Sequence, residues 1–126
     1  MSLESDILEA KLSLENWALE TVQGTLFQIS NNIVKESPVD TGRFRNNWLA
    51  SKNRPRKGTL SQKDKSGNRA VARAGRIVES LEAGDTFYLA NNLPYARPLE
   101  FGSSDQAPSG MLRVNVERVR AALARS

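Results

Sequence analysis

Between Leu14 and Val34 the apolar residues Leu14, Trp17, Ala18, Val22, Leu26, Ile29 and Ile33 recur at steps of three and four, the spacing that lines one face of an α-helix. A stripe this long has to be covered, so the chain is committed to a core built against one long helix. The helix is expected to run about six turns. It should stop before Pro38, because the residue preceding a proline is pushed out of the α region. Gly24 lies inside it at a cost of about 1 kcal/mol relative to Ala, which predicts close packing or a bend there. Residues 1–12 continue the acidic amphipathic style through Leu3, Ile7, Leu8 and Leu12, and read as an extra helical turn or a frayed arm.

The segment 37–42, Ser-Pro-Val-Asp-Thr-Gly, is a turn by composition, and Asp40 or Thr41 can cap a short turn after it through a side-chain oxygen. Phe44, Trp48 and Leu49 are the large apolar groups before a long polar gap, so about 45–51 is read as a strand. Residues 52–69, rich in Lys, Arg, Ser, Asn and Gly, bury too little apolar surface to offset the entropy of ordering and predict a mobile loop. Ala70, Val71, Ala74, Ile77, Val78 and Leu81 return to helical spacing, with Gly84 as the stop. Residues 87–90, Phe-Tyr-Leu-Ala, read as a strand entered through Asp85 and Thr86 and ended by Asn91 and Asn92. The stretch 93–102 is too proline-rich for a regular element, although 95–101 has room for a helical turn. Leu112, Val116, Val119 and Leu123 mark a C-terminal helix with Arg113, Arg118 and Arg120 on its other face or flanks. The expected fold is therefore α+β: a long N-terminal helix, a small, mostly antiparallel sheet, a short middle helix, and a C-terminal helix packed on the sheet. At 126 residues a single core is the natural outcome, giving one domain over 1–126.

The chain has no Cys and no His. That removes disulfides, thiolate nucleophiles, zinc sites built on those residues and the side chain that titrates near neutrality. The remaining carboxylates outside the helices, Asp40, Asp85, Glu100 and Asp105, show no paired spacing, and no glycine-rich phosphate fingerprint occurs. No catalytic residue, cofactor or metal is expected. No stretch approaches the roughly 20 apolar residues of a membrane span. The acidic first thirty residues do not resemble a secretory leader, so cytosolic synthesis without a membrane partner is expected.

The net charge of +4 from 18 Lys and Arg against 14 Asp and Glu conceals a strong segregation. Residues 1–42 carry −5 and residues 43–76 carry +10. Arg54, Arg56, Lys57, Lys63, Lys65 and Arg69 form the candidate contact loop within the basic block. Such a block can neutralise phosphates through counterion release, and it holds no aromatic group between 52 and 69 to stack a base. The alternative is a solvated loop, or an arm lying on an acidic neighbour. Trp48, Tyr95, Phe101 and Met111 fall near element ends, where such residues serve either an interface or the core. Core is the expectation for Trp48 and Phe101.

Two stretches carry a family resemblance. Residues 38–48, Pro-Val-Asp-Thr-Gly-Arg-Phe-Arg-Asn-Asn-Trp, follow a long amphipathic helix and resemble the pattern P-V-D-T-G-x-L-R-x-S/N-W of the tail-completion, or head–tail joining, proteins of long-tailed phages and prophages. Residues 84–114 are similar to the same family's pattern G-D-x-x-Y-x-x-N-N-x-P-Y-A-x-x-L-E-x-G-x-S-x-Q-A-P-x-G-M. Phe44 stands in the place of a Leu, and Pro98 opposes a continuous helix through Tyr95 to Phe101. The resemblance implies a non-enzymatic virion component of the neck, assembled in the host cytoplasm. It would form a ring, typically a hexamer, that caps the tail tube and joins it to the head-completion or connector proteins, with DNA passing through its channel. It further implies that Asp40, Thr41 and Gly42 shape the turn after the long helix and that Tyr95, Glu100 and Gly102 set the second motif. Candidate protein contacts are then Trp48, Tyr95, Glu100, Phe101, Gly102 and Met111. The partners implied are further copies of the chain, the connector, the tail tube or its terminator, and, through the basic loop, either a protein neighbour or non-specific contact with DNA in the channel. The competing function is a small basic nucleic-acid-binding module working through residues 52–76.

Overall fold

The computed structural model describes residues 2–3, 8–13, 19–94, 96, 100 and 111–124. Among the described residues the elements follow in the order β1 (Ser2–Leu3), β2 (Leu8–Ser13), α1 (Leu19–Glu36), α2 (Arg43–Asn46), β3 (Leu49–Lys52), α3 (Asn68–Glu79), β4 (Thr86–Asn91) and α4 (Leu112–Ala124). The sheet order is β1-β2-β4-β3 and every pairing is antiparallel. This is the expected α+β layout, with a long helix near the N-terminus and another at the C-terminus.

The helical stripe of α1 does what its spacing demands. Val22, Leu26, Ile29 and Ile33 are all buried in one core with Ala70, Ala74 and Val78 of α3, Phe87 and Leu89 of β4, and Val116 and Val119 of α4. The alanines of α3 let its backbone approach α1 closely. Phe87 and Leu89 alternate at the strand period of two. Helix α1 lies between α3 and α4, while α3 packs on β3 and α4 reaches β2. The helix ends two residues before Pro38; Leu14, Trp17 and Ala18 lie outside the described residues.

Four expectations need correction. Residues 2–3 and 8–13 are strands, not an extra helical turn or a frayed arm. Leu8, Ala10 and Leu12 also alternate with polar residues, and six-residue pairing from Leu8↔Asn91 to Ser13↔Thr86 satisfies the backbone edge of β4 that β3 leaves open. The strand expected at 45–51 begins only at Leu49, because Gly42 starts a helical turn over 43–46 whose first bond runs from Asn46 N to Gly42 O at 3.1 Å. Helix α3 stops at Ser80, whose hydroxyl donates to Ile77 O at 2.7 Å. Gly84, at φ +91°, instead serves the turn closed by Asp85 N to Glu82 O. Of the two alternatives at Gly24, close packing or a bend, close packing is absent, since a Cβ there would meet no atom within 4 Å.

Candidate functional site: the strapped loop and its basic face

Residues 53–67 contain neither helix nor strand, as their composition predicts, yet their backbone is fastened at many points. The fastening starts at the end of α1. Ser37 Oγ donates to Ile33 O at 2.6 Å and accepts from Trp48 Nε1 at 2.8 Å. Trp48 is fully buried and meets Phe44 edge to face at 5.9 Å. Thr41 Oγ1 accepts from Arg43 N at 3.3 Å, which is the turn-capping role expected of it, while Asp40 is exposed.

Gly42 is the crossing point. Its carbonyl accepts from both Asn46 N and Asp64 N, each at 3.1 Å. At φ +91° it takes a conformation that costs any other residue. A Cβ on it would stand 2.4 Å from Lys65 N and 2.5 Å from Asp64 C, so the loop backbone presses where a side chain would be. Gly67 repeats the device against Val34 Cγ1.

The polar residues after Gly42 then act as straps. Asn47 Nδ2 donates to Leu60 O at 2.9 Å and its Oδ1 accepts from Leu60 N at 2.7 Å, so one amide satisfies both backbone groups of a loop residue. Asn46 Nδ2 donates to Gln62 O, and Arg43 Nε to Leu60 O. Arg45 divides three donors among Ser37 O, Lys65 O and Lys35 O at 2.8–3.0 Å. From the second motif, Asn92 Nδ2 holds Arg56 O and Gly58 O, both at 2.9 Å, and Asn91 Nδ2 donates to Phe44 O at 3.1 Å. Sequence reading missed these roles. The signal was available in the doublets Asn46-Asn47, inside the strand predicted at about 45–51, and Asn91-Asn92, just after the one predicted at 87–90, since side-chain amides can substitute for ladder partners.

The same sorting divides the basic block. Arg43, Arg45 and Arg73 are part-buried and spent on carbonyl groups; Arg73 reaches Asn46 Oδ1, Asn46 O and Trp48 O. By contrast Arg54, Arg56, Lys57, Lys63, Lys65, Arg69 and Arg76 are exposed. Among the described residues the ion pairs are Arg113–Glu100, Arg118–Glu36 and Arg120–Glu117, none of which touches that set. Burial, then the positive charge of Arg56 and Arg76 and lastly of Arg69, holds the Arg73 guanidinium below its ordinary pKa against the opposing charge of Asp64.

Asp64, the carboxylate inside the block, is occupied locally. It accepts from Ser66 Oγ at 2.6 Å, Ser66 N at 3.1 Å and Arg69 N at 2.9 Å, at the entry to α3. The Ser66 hydroxyl first and the Arg69 amide next hold its pKa below 3.8. Asp85, bound by the Glu82 amide and by Asn53, is lowered likewise. A lowered folded pKa contributes stability that is fully present above the ordinary carboxylate value and is lost as pH falls through the lowered one. Stability is therefore expected to drop on acidification below about pH 4. Urea titrations across that range should show a shallower pH dependence in Asp64→Asn; an unchanged dependence would remove Asp64 from the account.

The second motif's carboxylate is a structural centre. Glu100 is wholly buried, and its Oε1 accepts from Met111 N at 3.0 Å and Leu112 N at 2.8 Å. Its Oε2 accepts from Arg113 N and Arg113 Nε, both at 2.9 Å. It thus caps the N-terminus of α4 from 12 residues away. Trp48, Glu100 and Met111, offered as protein contacts, are each fully buried within the chain and present no free surface to a partner. For Trp48 this is the core position expected. Tyr95, Phe101 and Gly102 lie outside the described residues.

Among the described residues no group of three or more His, Cys, Asp or Glu side chains is placed to hold a metal ion. No described helix is long and apolar enough to cross a membrane. Compared with protein-family models, with curated proteins and with solved structures, the chain matches none of them.

Proposed function

We propose that this chain is a structural component of a phage neck, forming a ring that caps the tail tube and joins it to the head-completion proteins around a channel for DNA. The observation that supports the reading best is the meeting of its two resembling stretches. Asn91 bonds Phe44 across 47 positions of sequence, and Asn92 straps the loop that Asn46 and Asn47 hold from the other side. The motif residues that lie in the described chain are spent on holding one shape, with Gly42 as the crossing point and Glu100 as the helix cap. That use of sequence suits a part whose work is to present fixed surfaces, and the reading assigns it no catalytic group. Segregated charge supplies the two unlike patches that a head-to-tail ring needs.

The test is position in the particle. Electron microscopy of intact virions from the source, with this chain tagged, should place the tag in a ring at the junction of head and tail. Particles that assemble and infect without the chain, or a tag found elsewhere in the virion, would sink the proposal.

A further inference from the structure

The basic block contains more cations than the fold uses. Arg43, Arg45 and Arg73 hold carbonyl oxygens, which leaves a composite face made by two separate pieces of chain. Arg69 and Arg76 come from one side of α3, seven residues and so about 10 Å apart along its axis. Arg56 comes from the loop, positioned there because Asn92 grips its carbonyl. All three are exposed, and the charge of each acts on the part-buried Arg73. Among the described residues none of the three makes an ion pair, and Asp64, which accepts from the Ser66 and Arg69 amides, is the carboxylate whose charge reaches Arg69 and Arg73.

The chemistry of this face selects its ligand. Protein partners are met through an apolar centre within a polar rim, but no large apolar side chain is exposed here. Phe27, the exposed large hydrophobic among the described residues, lies against Gly75, on the opposite flank of α3 from Arg73. Unstacked bases need aromatic platforms, and the chain has no aromatic residue between Trp48 and Phe87. What remains is a set of planar guanidinium forks, which match phosphate oxygens. A 10 Å stripe covers the axial rise of about three phosphates on one strand.

We infer that Arg56, Arg69 and Arg76 form a sequence-independent contact face for the phosphate backbone of duplex DNA. The inference deepens the neck reading by saying which face of the subunit meets the nucleic acid, and it is tested on the isolated chain, so the two can fail separately. A random-sequence duplex titrated by fluorescence anisotropy should bind with a log–log salt slope of about −3, losing about 40-fold in affinity between 50 and 200 mM salt. The double variant Arg69→Ala/Arg76→Ala should bring the slope to about −1. The charge-matched control Arg118→Ala/Arg120→Ala should behave like the wild-type chain. Circular dichroism melts establish that both variants are folded. No duplex binding at 50 mM salt, or equal loss in both double variants, overturns the inference. So does a single strand or polyglutamate binding more tightly than the duplex, polyglutamate pointing to an acidic protein partner instead.

Discussion

Glu100→Ala should destabilise the chain by about 3 kcal/mol, because backbone amides lose their acceptor at roughly 1–3 kcal/mol for each buried donor left unsatisfied. The carboxylate accepts four hydrogen bonds, three of them from backbone amides: Met111, just before α4, and Leu112 and Arg113, its first two residues. Met111 and Leu112 are wholly buried, so water cannot replace the lost acceptor, and each orphaned donor carries its own desolvation cost. At this chain length such a loss corresponds to a fall of roughly 10 °C in melting temperature. Arg113→Ala provides the comparison. With Arg113→Ala the buried carboxylate keeps its three backbone donors, so losing the guanidinium should cost less, about 1–2 kcal/mol. If the two variants melt together, the backbone bonds of Glu100 contribute nothing beyond the ion pair, and its role as the cap of α4 is wrong.

Gly42→Ala is expected to cost about 2–4 kcal/mol, in the range reserved for a backbone clash combined with a strained conformation. Two causes add at this position, and the chain holds a control that separates them. Gly58 has almost the same φ, +89° against +91°, but a Cβ on it would meet nothing within 4 Å. Gly58→Ala therefore reports the conformational cost alone, about 1 kcal/mol. The excess in Gly42→Ala reports the clash with Asp64 and Lys65, which must withdraw and give up the bond from Asp64 N to Gly42 O. Hydrogen exchange should show the consequence directly as lost protection at Leu60 and Asp64. Equal free energies for the two variants would mean that the loop does not press on Gly42 in solution.

The long helix, the middle helix and the central strand were legible because each writes its burial into a period. Val22, Leu26, Ile29 and Ile33 could not be arranged otherwise than on one helical face. The N-terminal strands were not legible: the residues of 8–13 fit both periods, and the choice depends on an edge of β4 supplied 78 residues later. The loop was legible as a loop, because nothing in it can be buried. Its straps were not, because a side-chain amide gives no sign of which distant carbonyl it will meet. Glu100 is the same case, a carboxylate whose cap on α4 exists only once the chain has folded back.

Composition and order alone determined that the chain lacks Cys and His, that its charge is split between an acidic start and a basic middle, and that one long amphipathic helix must organise a core. The tertiary structure decided how those charges are spent. Arg45 and Arg73 are part-buried and donate to backbone oxygens, while Arg56, Arg69 and Arg76 are exposed and make no ion pair among the described residues. Formal charge is a property of a residue, whereas its availability depends on what the fold places within hydrogen-bonding reach.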